Sequence, residues 1–513
     1  MTESVFMEDK LKGRRIAVNT MMLYFRMFVL MLVGLYTSRV VLGALGENDY
    51  GIYNVVGGVV AMFTIISGAL NSSVSRYITF EMGKGESAQL QKVYSTAVTI
   101  QLVLALIVIV LAEPAGLWFI DNKMTIDPAR IPAARTVLHF SLLAFVINLM
   151  SVPQMASITA HEKMSAYAGI GLLDGFLRLA VAFLILHSSS DRLVLYSALM
   201  AAVVLIVRLA YGAYCRRHFP ECRYRPVFDK ALIREMFSFA GWNFIGVTAG
   251  VLRDHGGNIL VNIFSGPAVN AARGVAVQLN GTVQGFVTNF MTAVNPQITK
   301  SYASGDRRYM LSLVKKSSRM SFYLLFIIAL PILFNTGYLL SLWLKEVPEH
   351  TMAFVRLFLI FALSESLSNP LMTAAQATGN IRRYQSIVGG LILLNLPVSY
   401  ICLKAGADPE VTVLVAIVIS QICLAARLIL LKTMVGLDSK AFVKGVWLNV
   451  TAVSAAAIPL PLLAGSFMPD GFAGFCASSA ICVLSAALSI LYVGCSRNER
   501  LEMFNMIADR FRK

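Results

Sequence analysis

One pattern constrains this chain more than any other. Apolar runs of about 20 residues, the length an α-helix needs to cross a hydrocarbon core, recur from Ile16 to Gly494 between short breaks of charge, glycine or proline. Composition agrees: 57% of residues are hydrophobic and 14% charged, where a soluble domain carries about a quarter charged. The windows predict helical spans at 16–42, 51–73, 91–113, 134–158, 165–187 and 192–214. Eight more follow at 235–263, 267–294, 319–344, 352–375, 384–404, 410–431, 445–465 and 472–494. The expected class is an all-α polytopic membrane protein of about 14 helices.

An even number of spans puts both termini on one side, and the basic residues choose it. With cytoplasmic termini, 30 of the 44 Lys and Arg fall in inner segments. Six fall outside (Lys123, Arg130, Arg135, Arg192, Lys345 and Lys404) and eight arginines lie within spans. Basic residues are retained on the cytoplasmic side, so this asymmetry sets the orientation. The tryptophans fit it, with Trp118 and Trp343 at outer span ends and Trp242 and Trp447 at inner ends. The net charge of +16 therefore reports topology and gives no reason to expect a nucleic-acid partner. The first apolar run is too long for a signal-peptide core and should remain as an anchor. Seven scattered cysteines show no metal or disulfide spacing.

No loop exceeds about 20 residues by this reading, which leaves no room for a soluble domain. Internal similarity divides the rest. At a shift of 220, Gly46 meets Gly266, Ile78–Thr79 meet Ile298–Thr299, and Gly85 meets Gly305, among seven identities over 45 residues. Six spans separate the copies, so they share one orientation, a parallel repeat known among transporters. The expected domains are an N-terminal lobe (1–214, spans one to six), a cytoplasmic linker (215–234) and a C-terminal lobe (235–431, spans seven to twelve). Spans thirteen and fourteen (432–494) and a tail (495–513) follow. Leu501, Phe504, Ile507 and Phe511 would share one face of that tail, on the inner membrane surface.

Four stretches, in order at span ends, carry a resemblance: "LGALGENDYGIYNVVGG" (42–58), "RYITFEMGKGE" (76–86), "AARGVAVQLNGTVQGFVTNFMTAVNPQITKSYASGD" (271–306) and "AAQATGNIRRYQ" (374–385). They resemble the O-antigen-type polysaccharide flippases of the multidrug/oligosaccharidyl-lipid/polysaccharide (MOP) superfamily. The resemblance implies two pseudo-symmetric six-helix lobes of the MATE-like kind, here with two extra C-terminal helices. It also implies transport of an undecaprenyl-pyrophosphate-linked oligosaccharide across the bacterial inner membrane for polysaccharide or lipopolysaccharide synthesis. Implied partners are that lipid-linked substrate, the bilayer and other glycan-assembly membrane proteins.

Charges inside spans are costly and mark candidate sites. Arg39, Arg208, Arg356 and Arg427 lie near span ends, where snorkelling explains them. Arg178 has Asp174 four residues back, so local pairing and function weigh equally there. Arg26, with Asn19 on its face, and Arg253, with Asn243, Gly246, Gly250 and Gly257 on its face, have no such explanation, nor does Arg273. Arginine grips phosphate in bidentate fashion, so a cavity lined by Arg26, Arg253 and Arg273 would take a pyrophosphate headgroup or an acidic sugar. Asp174, Asp254, Glu365 and His255 are candidates for coupling to a proton or sodium gradient, with plain neutralisation of arginines as the equal alternative. No cofactor is expected. Gly256 and Gly257, with the in-span prolines, are read as points of flexibility.

The competing function is a MATE-type multidrug/cation antiporter, whose cavity should be acidic and aromatic where this one is basic. A glycan polymerase or ligase would want a large external loop, and "GKGES" (83–87) lacks the spacing of a phosphate-cradling loop. The reading is a transporter, not an enzyme.

Overall fold

The computed structural model describes residues 2–501 apart from 62, 125, 345, 466, 467, 469, 470 and 498; the tail beyond 501, with its amphipathic face, lies outside the described residues. Among the described residues every regular element is helical. Eleven helices are long and apolar enough to cross a membrane. The other three of the fourteen spans are the more polar ones, around 47–84, 230–265 and 267–303. Leu106, Val110, Ile429 and Leu463 are 62–69% exposed. Leucine, valine and isoleucine bared at this density need lipid rather than water around them. The chain is a polytopic membrane protein.

The chain forms two compact units, the first running to Val247 with Thr292–Gly305 added, the second taking Thr248–Met291 and the chain from Asp306. In the first unit α1 (Thr2–Ala61) packs on α6 (Met164–Leu186), α2 (Thr64–Lys84) on α3 (Ser87–Asn122) and α5 (Val152–Ala160), and α4 (Ile131–Leu149) on α7 (Arg192–His218). Val41, Ala44, Val181, Ala182, Ile185 and Val203 form a buried cluster there. Helix α8 (Lys230–Ala303) contributes to both units. In the second, α9 (Arg307–Phe334) and α10 (Thr336–Trp343) precede α11 (Thr351–Ser366) and α12 (Asn369–Ala377). Helices α13 (Arg382–Leu393), α14 (Asn395–Lys404) and α15 (Val411–Val435) follow, with α11 and α13 packed on α15. The last two spans run 439–465 and 472–494, each with one π-helical stretch, Val443–Trp447 and Ile490–Gly494.

The internal repeat has a backbone counterpart. Gly46 interrupts α1 at φ 75, ψ 170, and Gly266 interrupts α8 at φ 84, ψ 177. Gly85 and Gly305 end the helices that follow, at φ 80 and 81. A side chain is strained at such φ values, so glycine is needed at the same two points of each copy. The halves agree elsewhere too. Span four breaks at Ser151 before the nine-residue α5, and span ten breaks at Ser368 before the nine-residue α12, each with proline in the first turn. Arg130 pairs with Asp191 beside the start of α7, and His350 with Glu410 (2.7 Å) beside the start of α15. The Glu410 carboxylate holds the His350 imidazole above its ordinary pKa.

Several boundaries differ from the sequence reading. Span two is not one helix over 51–73: it breaks near Phe63 and continues to Lys84. Helix α3 runs through Pro114 to Asn122, and α8 runs to Ala303. Hydropathy windows end where charge begins, whereas helices continue into the interface, so the loops are shorter than they read. Arg427 also departs from expectation. It does not snorkel: it is 4% exposed and donates to Tyr384 Oη (3.1 Å) and Ser368 Oγ (2.9 Å). Buried oxygens from α13 and the α11–α12 junction replace the water that a snorkelling arginine seeks.

Candidate functional site

Each unit holds a set of in-span charges. In the first, Arg26 lies against α6. Its guanidinium sits 4.6 Å above the Tyr167 ring, and its Nε has no hydrogen-bond partner among the described residues. Gly171 makes this possible, since a Cβ there would come within 2.2 Å of that Nε. Asn19, one face-repeat earlier, is buried and donates to the Glu162 carbonyl (3.4 Å), so it belongs to the helix end. Asn243, also in this unit, is 3% exposed. Asp174 and Arg178 pair through Nε and Oδ1 at 2.9 Å, as their i,i+4 spacing predicts.

In the second unit, Arg253, Asp254, Arg273 and Glu365 come together. Arg253 packs 4.7 Å over the Phe361 ring of α11 and pairs with Asp254 at 2.9 Å. The Arg253 side chain keeps 18% exposure, while Asp254 is 52% exposed. Adjacent helical residues diverge by about 100°, yet the long arginine folds back to reach Asp254. Arg273 is 4% exposed, lies 5.4 Å over Phe358, and donates to Asn258 Oδ1 and the Asp254 carbonyl. Glu365, half-buried, is within electrostatic reach of both Arg253 and Arg427. His255 is exposed.

The glycines of "GVLRDHGGNIL" serve close packing. A Cβ on Gly257 would meet the Arg273 guanidinium at 2.5 Å, and one on Gly256 would meet Leu396 at 2.5 Å. Both remain helical, so here the small side chains seat neighbours where flexibility was expected.

Sequence reasoning missed Glu162. It lies between α5 and α6, 7% exposed at φ 58. Its carboxylate accepts from Lys300 (2.6 Å) and Gln297 (2.7 Å), with Arg15 at 3.7 Å. The partners are more than 130 residues away, and nothing in "HEK" marks the acid as buried. Among the described residues no group of His, Cys, Asp and Glu could hold a metal ion.

The two-unit helical chain shares the fold of solved MATE structures. It matches MATE in complex with MaD3S at a TM-score of 0.72 and 11% identity, covering 82% of this chain and 97% of that one. It matches a MOP superfamily transporter from Pyrococcus furiosus, described as having a binding pocket of reverse polarity, at 0.69 and 10%, covering 83% and 96%. A polysaccharide biosynthesis protein model matches residues 13–302 and a MatE model residues 257–401. The chain belongs to the polysaccharide biosynthesis protein family, within the MOP superfamily. The uncharacterized membrane protein EpsK of Bacillus subtilis is 18% identical over 315 residues, which are 61% of this chain and 62% of that relative.

Proposed function

We propose that the protein moves an undecaprenyl-pyrophosphate-linked oligosaccharide from the inner to the outer leaflet of the bacterial inner membrane, by alternating access, for surface polysaccharide assembly. One observation carries the reading. Arg26, Arg253 and Arg273 each rest on an aromatic ring within a span. A ring face stabilises a cation without cancelling its charge, and in the second unit Arg253, Arg273 and Arg427 stand against two acids, Asp254 and Glu365. Such groups attract a pyrophosphate or an acidic sugar; a site for cationic drugs would want the opposite sign. Arg253 is the strongest candidate for the headgroup grip because its side chain is 18% exposed, whereas Arg273 and Arg427 are 4% exposed. Asp254, Glu365 and His255 are the candidates for coupling to a proton or sodium gradient, whereas Asp174 is already balanced by Arg178. Other glycan-assembly membrane proteins are the expected partners.

Deleting the gene is expected to remove surface glycan and leave lipid-linked oligosaccharide on the inner leaflet, read by glycan staining and lipid extraction. Normal glycan with new drug sensitivity would hand the function to the antiporter reading. The orientation rests on the thirty-to-six basic asymmetry. Reporter fusions at Asp127 and Glu349 should read periplasmic and those at Asp229 and Asp306 cytoplasmic. A cytoplasmic signal at Glu349 would refute the topology of the second repeat.

A further inference from the structure

The first unit contains a cavity of about 350 Å³ among α1, α6 and α7, lined on its polar side by Thr37, Ser38, Tyr50, Asp174, Arg178 and Tyr196. That size is at the small end of the ~300–1,000 Å³ typical of ligand pockets and suits about one sugar ring. We propose that this cavity is a subsite for an uncharged pyranose ring of the transported glycan; the proposal rests on the glycan-transport reading above and gives it a second contact point.

Chemistry selects the occupant. The Asp174–Arg178 pair uses one oxygen and one nitrogen. Among the described residues this leaves Asp174 Oδ2 and the two terminal guanidinium nitrogens without hydrogen-bond partners. Thr37 Oγ1, a buried atom, is also unpartnered. Acceptor, donors and hydroxyls thus converge, which is the set that vicinal sugar hydroxyls satisfy, each hydroxyl both giving and taking a hydrogen bond. Tyr50 and Tyr196 add aromatic surface with a polar edge, suited to the C–H face of a pyranose. Tyr196 is held in place by edge contact with Tyr53, ring centroids 4.8 Å apart. A bound cation fits poorly, because Arg178 already balances the one carboxylate and hard cations need surplus oxygen charge. A phosphate fits poorly because Asp174, 2.9 Å from the guanidinium, already neutralises it and would repel a second anion. Lipid tails would leave these polar atoms unsatisfied.

Gly34 supplies the test. It lines the cavity, and a Cβ built on it meets nothing within 4 Å. Gly34→Leu should therefore fill the space while favouring helix and sparing every polar group. The full chain in lipid nanodiscs is probed with methyl α-glucoside, galactoside, mannoside and rhamnoside by saturation-transfer NMR. At least one should receive saturation from the parent protein, bind roughly tenfold more weakly to Gly34→Leu, and do so again to Arg178→Lys, which keeps the charge. Inorganic pyrophosphate should not displace it. No transfer to any glycoside, transfer untouched by Gly34→Leu, or a sodium-dependent thermal shift abolished by Asp174→Asn in place of glycoside binding would each overturn the proposal. Glycan export scored in the same strains separates the two readings. Export that survives Gly34→Leu alongside absent glycoside binding defeats only the subsite, whereas normal surface glycan in the deletion strain defeats the transport reading.

Discussion

Arg253→Ala is expected to cut glycan export by roughly ten- to a hundredfold while leaving normal amounts of protein in the membrane. The size follows from the ~1.5–3 kcal/mol that a hydrogen bond to a charged group contributes, since such a bond to the headgroup is what the variant loses. Stability should change little. The carboxylate freed by the substitution, Asp254, is already 52% exposed and is not stranded. The Phe361 face that Arg253 covers loses a cation–π contact, of about 0.5–1 kcal/mol where water has access. Arg253→Lys should restore export only in part, because an ammonium on the same ring lacks the planar fork that grips two phosphate oxygens. Cysteine accessibility decides between a transport role and a structural one. Arg253→Cys, in a chain whose seven cysteines are replaced, should react with a membrane-impermeant thiol reagent from one side of the membrane. If it stays unlabelled in every condition while Arg253→Ala still exports glycan, Arg253 is a structural charge and the site assignment falls.

How much of this was readable in advance depends on how far each feature reaches along the chain. Spans were legible because a helix crossing lipid must be apolar throughout its own length, a local requirement. The repeat was legible for a stricter reason: Gly46 and Gly266, and Gly85 and Gly305, occupy left-handed φ values that keep glycine in both copies while their surroundings diverge. Arg178 and Asp174 were legible because their pairing is a matter of helical spacing. Arg427 was not, since its snorkelling and buried alternatives differ only in whether Tyr384 and Ser368, some 43 and 59 residues away, come to meet it. The glycines beside Arg253 misled for a similar reason. A small residue marks either flexibility or close approach, and only the positions of Leu396 and Arg273 show that it is close approach here.

Glu162 joins helix ends of the first unit, and Glu162→Ala is expected to lower stability by about 2–3 kcal/mol. Removing one partner of a buried ion pair costs about 3–5 kcal/mol when the other is left without solvent. Lys300, with 23% of its side chain exposed, recovers part of its hydration, which brings the figure down. Arg15, 65% exposed and 3.7 Å away, adds little to it. The carboxylate ties Gln297 and Lys300, in the stretch of α8 assigned to this unit, to the turn between α5 and α6. Close packing reinforces the attachment: a Cβ on Gly83 of α2 would collide at 2.8 Å with the Lys300 carbonyl and with Ala303. Thermal unfolding of the purified protein in detergent measures the loss, and a double-mutant cycle with Lys300→Ala isolates the pair. The cycle should show a coupling of roughly 0.5–3 kcal/mol, the range for residues in direct contact. Glu162→Gln offers a second reading, because it keeps an acceptor for Gln297 but loses the charge facing Lys300, and so should fall between wild type and Glu162→Ala. Equal melting of all three proteins would mean that the turn is held by packing at Gly83 and Ala303 alone, with the ion pair merely accompanying it.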